Sequence, residues 1–206
     1  MNERKLILIK HSKPLVDPRL PSHQWRLSDE GRQRCEPLVQ AVRAHQPRIV
    51  ISSEEPKASE TARILSAGLG VPFQTAAGLG EHDRSNVPHM ESREFISRVA
   101  HFFKNPQMLV LGRETAQAAC DRLAAALNDL LQGNADGNIA VVTHGTVLAL
   151  LVAEKTGEDG FLLWRRMGLP SMIVFGLPRW DEVERTERFA IPSAAGGAPP
   201  ETGKGG

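Results

Sequence analysis

The chain has 206 residues, 41% hydrophobic and 24% charged, which suits one compact domain with a real core and is too short for two full ones. Its 25 basic and 24 acidic residues leave a net charge of +1, which argues against a chain built to coat nucleic acid or an anionic membrane. No apolar run approaches the roughly 20 residues of a membrane span, the start MNERKLILIKHS shows no secretory leader, and Cys35 and Cys120 have no metal-type spacing, so a reducing cytoplasm is the expected setting.

The apolar pattern alternates between short and long runs. Lys5–Ile9 reads as a buried strand. Ser28 is placed to cap a helix running to about His45, with Cys35, Leu38, Val39 and Val42 on one face. RIVIS, at 48–52, is a second strand, and Pro56 opens a helix that Gly70 and Pro72 end. A weak strand follows at Phe73–Thr75. Residues 78–112 are less regular: a loop, then a helix around 92–103, broken at Asn105-Pro106. Helix is expected again at 115–132, strand at 139–143, and a helix that is apolar nearly all round at 146–156. Two late strands, 171–175 and 182–189, close the pattern. The tail 191–206, IPSAAGGAPPETGKGG, is small and Pro/Gly-rich, and it is expected to be disordered. Its Gly-Lys-Gly-Gly end lacks the flanking strand and helix of a phosphate loop.

Strands alternating with helices indicate an α/β fold with a mainly parallel central sheet covered on both faces. Right-handed crossovers gather the strand C-termini on one edge, where such sheets carry their sites. His11 and His144 each follow directly on an apolar strand, so that edge would bring them side by side. His144-Gly145 then opens a helix, adding free backbone N–H groups. A third strand end delivers Ser52-Ser53 and then Lys57, while Lys10 precedes His11. Two cations, two imidazoles and a helix N-terminus at one edge make an anion pocket, most naturally for a phosphoryl group.

The segment LILIKHSKP resembles the Arg-His-Gly signature of the histidine phosphatase (phosphoglycerate mutase-like) superfamily. LSDEGRQRCEPLVQAV, SSEEPKASETARIL, GLGEHDR, VVTHGTVLALL and GLPSMIVF resemble the further motifs of that family, in family order, over roughly residues 5–178. The resemblance implies a three-layer α/β/α sandwich over residues 1–190, with a small helical insertion at about 78–112 above the site. It implies a metal-independent, cofactor-free phosphatase acting on a small phosphorylated metabolite, with no nucleic-acid or membrane partner. His11 would take up the phosphoryl group. Lys10, Lys57 and His144 would hold its oxygens, with Ser12 and Gly145 alongside, and Glu81 would exchange protons with the leaving group and the attacking water.

The chain also departs from the family. Lys10 and Lys57 stand where the family has arginine, and Ser12 stands where it has glycine. Lysine keeps the charge but loses the two-pronged grip of a guanidinium. A pseudo-phosphatase that binds phosphate or a phosphoprotein is therefore the alternative, with a protein phosphohistidine phosphatase or a mutase as a third reading. Ser12 could line the pocket or fill a turn, and His82 or Asp83 could take the role of Glu81. Arg84 could supply a guanidinium or form a salt bridge. Glu114-Thr115 reads as a helix cap. His23, His45, His89 and His101 fall outside the motifs and read as exposed, and Trp164-Arg165-Arg166 reads as a basic amphipathic turn.

Overall fold

The computed structural model of the chain describes residues 4–88 and 90–191. From residue 192 onward the expected tail lies outside those residues, as does His89. Among the described residues, six strands form one sheet in the order β3-β2-β4-β1-β5-β6. They are β1 (Arg4–Lys10), β2 (Pro47–Ser52), β3 (Phe73–Thr75), β4 (Asn138–Thr143), β5 (Ser171–Leu177) and β6 (Asp181–Thr186). β1 pairs parallel with β4, β4 with β2, and β2 with β3. β5 runs antiparallel to both β1 and β6, which makes it the one strand against the common direction.

The helices cover both faces, as the expected three-layer arrangement requires. α1 (Asp29–Gln33), α2 (Cys35–Arg43) and α3 (Pro56–Leu69) precede β3, and α4 (Ser92–Lys104) and α5 (Ala116–Gly133) precede β4. α6 (Gly145–Thr156) and α7 (Gly160–Arg166) follow β4. Strand alternation sorts the core into two layers. Leu6, Leu8, Ile139 and Val141 face Leu123 and Leu127 of α5 and Val147 and Leu151 of α6. Ile7, Ile9, Ala140 and Val142 face Leu38 and Val42 of α2 and Ala62 and Leu65 of α3. Both central strands are buried on each side, so they read as unbroken apolar runs rather than alternating ones.

Three expectations differ from the structure, the first being the last strand, expected at 182–189, which ends at Thr186. The helix expected from Ser28 to His45 is broken at Arg34 into α1 and α2. Ser28 still caps it, accepting the Gly31 N–H at 3.0 Å. The residues read as a basic turn at 164–166 are the end of α7, which Asp159 caps through the Leu162 N–H. The helix α4 expected inside 78–112 forms its own small core, with Val99, Phe102, Leu111 and Ala116 buried together.

Candidate active site

β1 and β4 are parallel neighbours with Lys10 opposite Thr143, so the next residue of each, His11 and His144, emerges at the same sheet edge. Their ring centroids are 5.1 Å apart, edge to face at 63°. His11 Nδ1 lies 2.7 Å from the Ser12 carbonyl oxygen, which can only accept, so Nδ1 carries the proton and Nε2 keeps its lone pair. Burial first, then the charges of His144 and Lys57, holds the His11 pKa well below the usual imidazole value. Burial also pulls His144 down to about 3, against the opposing pull of Glu81. Both imidazoles are neutral at pH 7.

His144 Nε2 is 2.8 Å from the Ser53 hydroxyl and 3.3 Å from Glu55 Oε1. The other carboxylate oxygen of Glu55 is 2.5 Å from Lys57 Nζ, which also donates to the Ser22 carbonyl at 2.7 Å. Pro56 at the first turn of α3 and the β2 C-terminus fix this segment, so Lys57, although 95% buried, delivers its ammonium to the sheet edge. Lys10 arrives from the other face of the sheet. Its ammonium donates to the Met167 carbonyl at 2.9 Å, and its side chain fills the space where a Cβ on Gly145 would lie, 2.9 Å from Lys10 Cε. Burial lowers the Lys10 pKa to about 8, with Glu81 opposing and Arg188 assisting.

Three expected ligand groups sit differently from the sequence reading. The Ser12 hydroxyl donates to the Gly31 carbonyl at 2.7 Å and is fully buried, so it ties β1 to α1 instead of lining the pocket. Gly145 makes room for the Lys10 side chain. The N–H groups beyond it are taken: Glu81 accepts from Thr146 at 3.2 Å and from Val147 at 3.3 Å. Glu81 therefore caps α6, where a carboxylate is favoured by the helix dipole. Burial alone would raise its pKa, but Arg84, His144 and the backbone donors outweigh burial and hold it far below the ordinary carboxylate range. In this conformation Glu81 is an ionised cap with no proton to give.

The neighbours weighed with it resolve as follows. His82 is buried against Phe102, with ring centroids 4.2 Å apart, and Asp83 accepts from the Ser85 N–H. Arg84 pairs with Glu81 at 3.5 Å and lies over the Phe95 ring. Thr115 caps α5, as expected, while Glu114 accepts the Asp83 N–H. His45, read as exposed, is buried near Glu184.

Sequence reasoning missed Glu55, Thr61 and Arg122. Glu55 sits inside a recognised motif at a position with no assigned chemistry. Thr61 accepts the Ser12 N–H at 3.0 Å, and only the helical spacing to Lys57 hints at it. Arg122 reads as an ordinary charge on α5, yet it donates to the carbonyls of Gly78, Gly80 and Glu81 and so holds the turn that carries Glu81. Beside the site, a cavity of about 510 Å³ runs between the 18–25 loop and the start of α4. Leu20, Trp25, Met90 and Phe95 line it, with Ser22 and Arg84 at the border with the site. Among the described residues, no group of three or more His, Cys, Asp or Glu side chains is placed to hold a metal ion. No helix among them is long and apolar enough to cross a membrane.

Residues 20–177 match the histidine phosphatase superfamily (branch 1). The chain belongs to that superfamily. The match begins after Lys10-His11-Ser12, the triplet in which the sequence departs from the family signature. The chain is also 24% identical over 156 residues to the uncharacterized phosphatase PhoE of Bacillus subtilis, covering 75% of this chain and 78% of that one. Mycobacterial hydrolase 2 shares the fold with a TM-score of 0.75 at 17% identity, over 94% of each chain. The mycobacterial glucosyl-3-phosphoglycerate phosphatase does so with a TM-score of 0.68 at 17% identity, over 84% of this chain and 90% of that one. Family membership and a phosphatase-named relative support a phosphatase.

Proposed function

We propose that the protein hydrolyses a small phosphate monoester through a phosphohistidine on His11. One observation carries this reading: a neutral His11 whose Nε2 lone pair is freed by the Ser12 carbonyl, with His144 edge-on at 5.1 Å. A buried neutral imidazole of fixed tautomer is a competent nucleophile. In-line attack by His11 Nε2 on phosphorus forms the N–P bond as the ester P–O bond breaks, and the leaving oxygen departs with its electron pair. Lys57 and His144 then face the equatorial oxygens, with Lys10 adding positive charge from the α6 side, so positioning and electrostatics supply the rate. Water attacks the phosphohistidine in the second half, and an ionised Glu81 suits the removal of its proton. Protonating a poor leaving group in the first half requires Glu81 to release α6 and take up a proton.

The cavity lined by Leu20, Trp25, Met90 and Phe95 favours an ester whose alcohol has an apolar body. A second reading, phosphate binding without turnover, draws on the same locked Glu81 together with lysine at both clamp positions. The two part on one assay. The purified chain, with a chelator present, is offered 1-naphthyl phosphate and a panel of phosphorylated metabolites, alongside His11→Ala. Turnover that His11→Ala abolishes supports hydrolysis. Phosphate binding with no turnover on any ester establishes the binder instead.

A further inference from the structure

The carboxylate of Glu55 occupies the place where the reading above seats the phosphate. Its Oε1 accepts the Glu81 backbone N–H at 2.8 Å and lies 3.3 Å from His144 Nε2, while Oε2 lies 2.5 Å from Lys57 Nζ. Two of these partners, Lys57 and His144, are groups that would otherwise meet phosphoryl oxygens. Glu55 is the N-cap residue of α3, yet its side chain makes no capping bond to that helix and reaches across the strand ends instead. There it meets Lys57, two residues on, together with the neutral His144 and the Glu81 N–H across the strand ends.

We infer that Glu55 is an internal occupant of the phosphate seat and sets its affinity for phosphate; the inference rests on the proposed function of that seat. An incoming phosphate and the Glu55 carboxylate cannot share Lys57 and His144, since two like charges at one site repel. Binding therefore requires the Glu55 side chain to swing out, and its bonds to Lys57, His144 and the Glu81 N–H are exchanged for those of the ligand. The device weakens every phosphoryl ligand alike and leaves the nucleophile untouched. Its rotation also uncovers the Ser53 hydroxyl, which shares His144 Nε2 and accepts the Glu55 N–H at 3.1 Å.

The test compares the full chain with Glu55→Gln and Glu55→Leu, measuring the Kd for inorganic phosphate and for orthovanadate and the KM and kcat for 1-naphthyl phosphate. Glutamine keeps the size and removes the charge; leucine removes the competing oxygens as well. The expected result is a fall in both Kd values and in KM of roughly tenfold or more in each variant, with kcat changed less than KM. Unchanged or weaker phosphate binding in both variants, while the unaltered chain binds phosphate and His11→Ala abolishes its turnover, overturns the role of Glu55 and leaves the proposed function standing. A collapse of kcat at unchanged Kd makes Glu55 a proton donor instead and likewise overturns the inference. No phosphate binding and no turnover by the unaltered chain or either variant removes the proposed function, and this inference falls with it.

Discussion

At the scale of single residues, burial sets the charge state of the site. Lys10 is held near a pKa of about 8, so its charge fades within the working range of an ordinary assay. Inorganic phosphate is mostly dianion by about pH 8 and changes little above it, so inhibition by phosphate should weaken as the Lys10 charge is lost with rising pH. In Lys10→Met the inhibition should be weaker at pH 7.5 and nearly flat above about pH 8, which inhibition constants measured at each pH will show. His144 gives the opposite limb. Its folded pKa of about 3 lies below the ordinary imidazole value of 6.5, so the unfolded chain binds the extra proton between those values. Its contribution is therefore complete above pH 6.5 and is lost as pH falls toward 3, at up to about 1.4 kcal/mol per pH unit. Glu81 steepens the loss below the ordinary glutamate value of 4.5, because its folded carboxyl is depressed. Urea unfolding between pH 7 and 4 should show this slope, to which the likewise depressed His11, His45 and His82 add, and His144→Asn should make it shallower above pH 4.5. Glu55 illustrates what a sequence conceals at this scale. A carboxylate two residues before a lysine reads as a solvated charge, and only the three-dimensional meeting of β2, β4 and the Glu81 turn brings His144 and the Glu81 N–H within its reach.

At the scale of elements, the site is a junction of strand ends held by backbone bonds. The Ser12 N–H to Thr61 and the Ser12 hydroxyl to Gly31 pin the turn after β1 to α3 and α1. Gly31 is required by contact, since a Cβ there would fall 2.1 Å from the Lys13 carbonyl oxygen. Gly31→Ala should destabilise the fold by about 3 kcal/mol or more. It should also raise KM by displacing His11, whereas Gly133→Ala, where a Cβ meets nothing within 4 Å, should do neither. Urea midpoints and KM for the two variants check this. The glycine of the Leu-Ser-x-x-Gly motif was legible in the sequence, but its reason was not, because the close approach comes from a loop 18 residues earlier. Likewise the spacing in α6 announced a buried helix, while its capping carboxylate comes from Glu81, 65 residues upstream. Helix interiors follow from local periodicity; what caps a helix from a distant loop does not.

At the scale of the molecule, the strand–helix alternation was enough to reveal a mainly parallel α/β sheet with His11 and His144 together at its strand C-termini. It was enough because β1 and β4 are buried on both faces and carry long apolar runs. Strand order was not legible, since pairing β5 antiparallel beside β1 leaves no local trace in either strand. The histidine pair followed from topology alone: two strands of like direction, adjacent in the sheet, each ending in histidine. The polarity of the site did not follow, because Lys10 and Lys57 approach from opposite faces and find the Met167 carbonyl and Glu55 waiting. The central claim is that His11 accepts the phosphoryl group, and trapping the intermediate tests it most directly. The chain is mixed with 1-naphthyl phosphate, quenched in base within the first turnover, and its peptides are weighed by mass spectrometry. The account predicts a phosphoryl group on the His11 peptide, stable to base, lost in acid and absent from His11→Ala. Turnover with no phosphoryl group on that peptide, or the same turnover in His11→Ala, would contradict it.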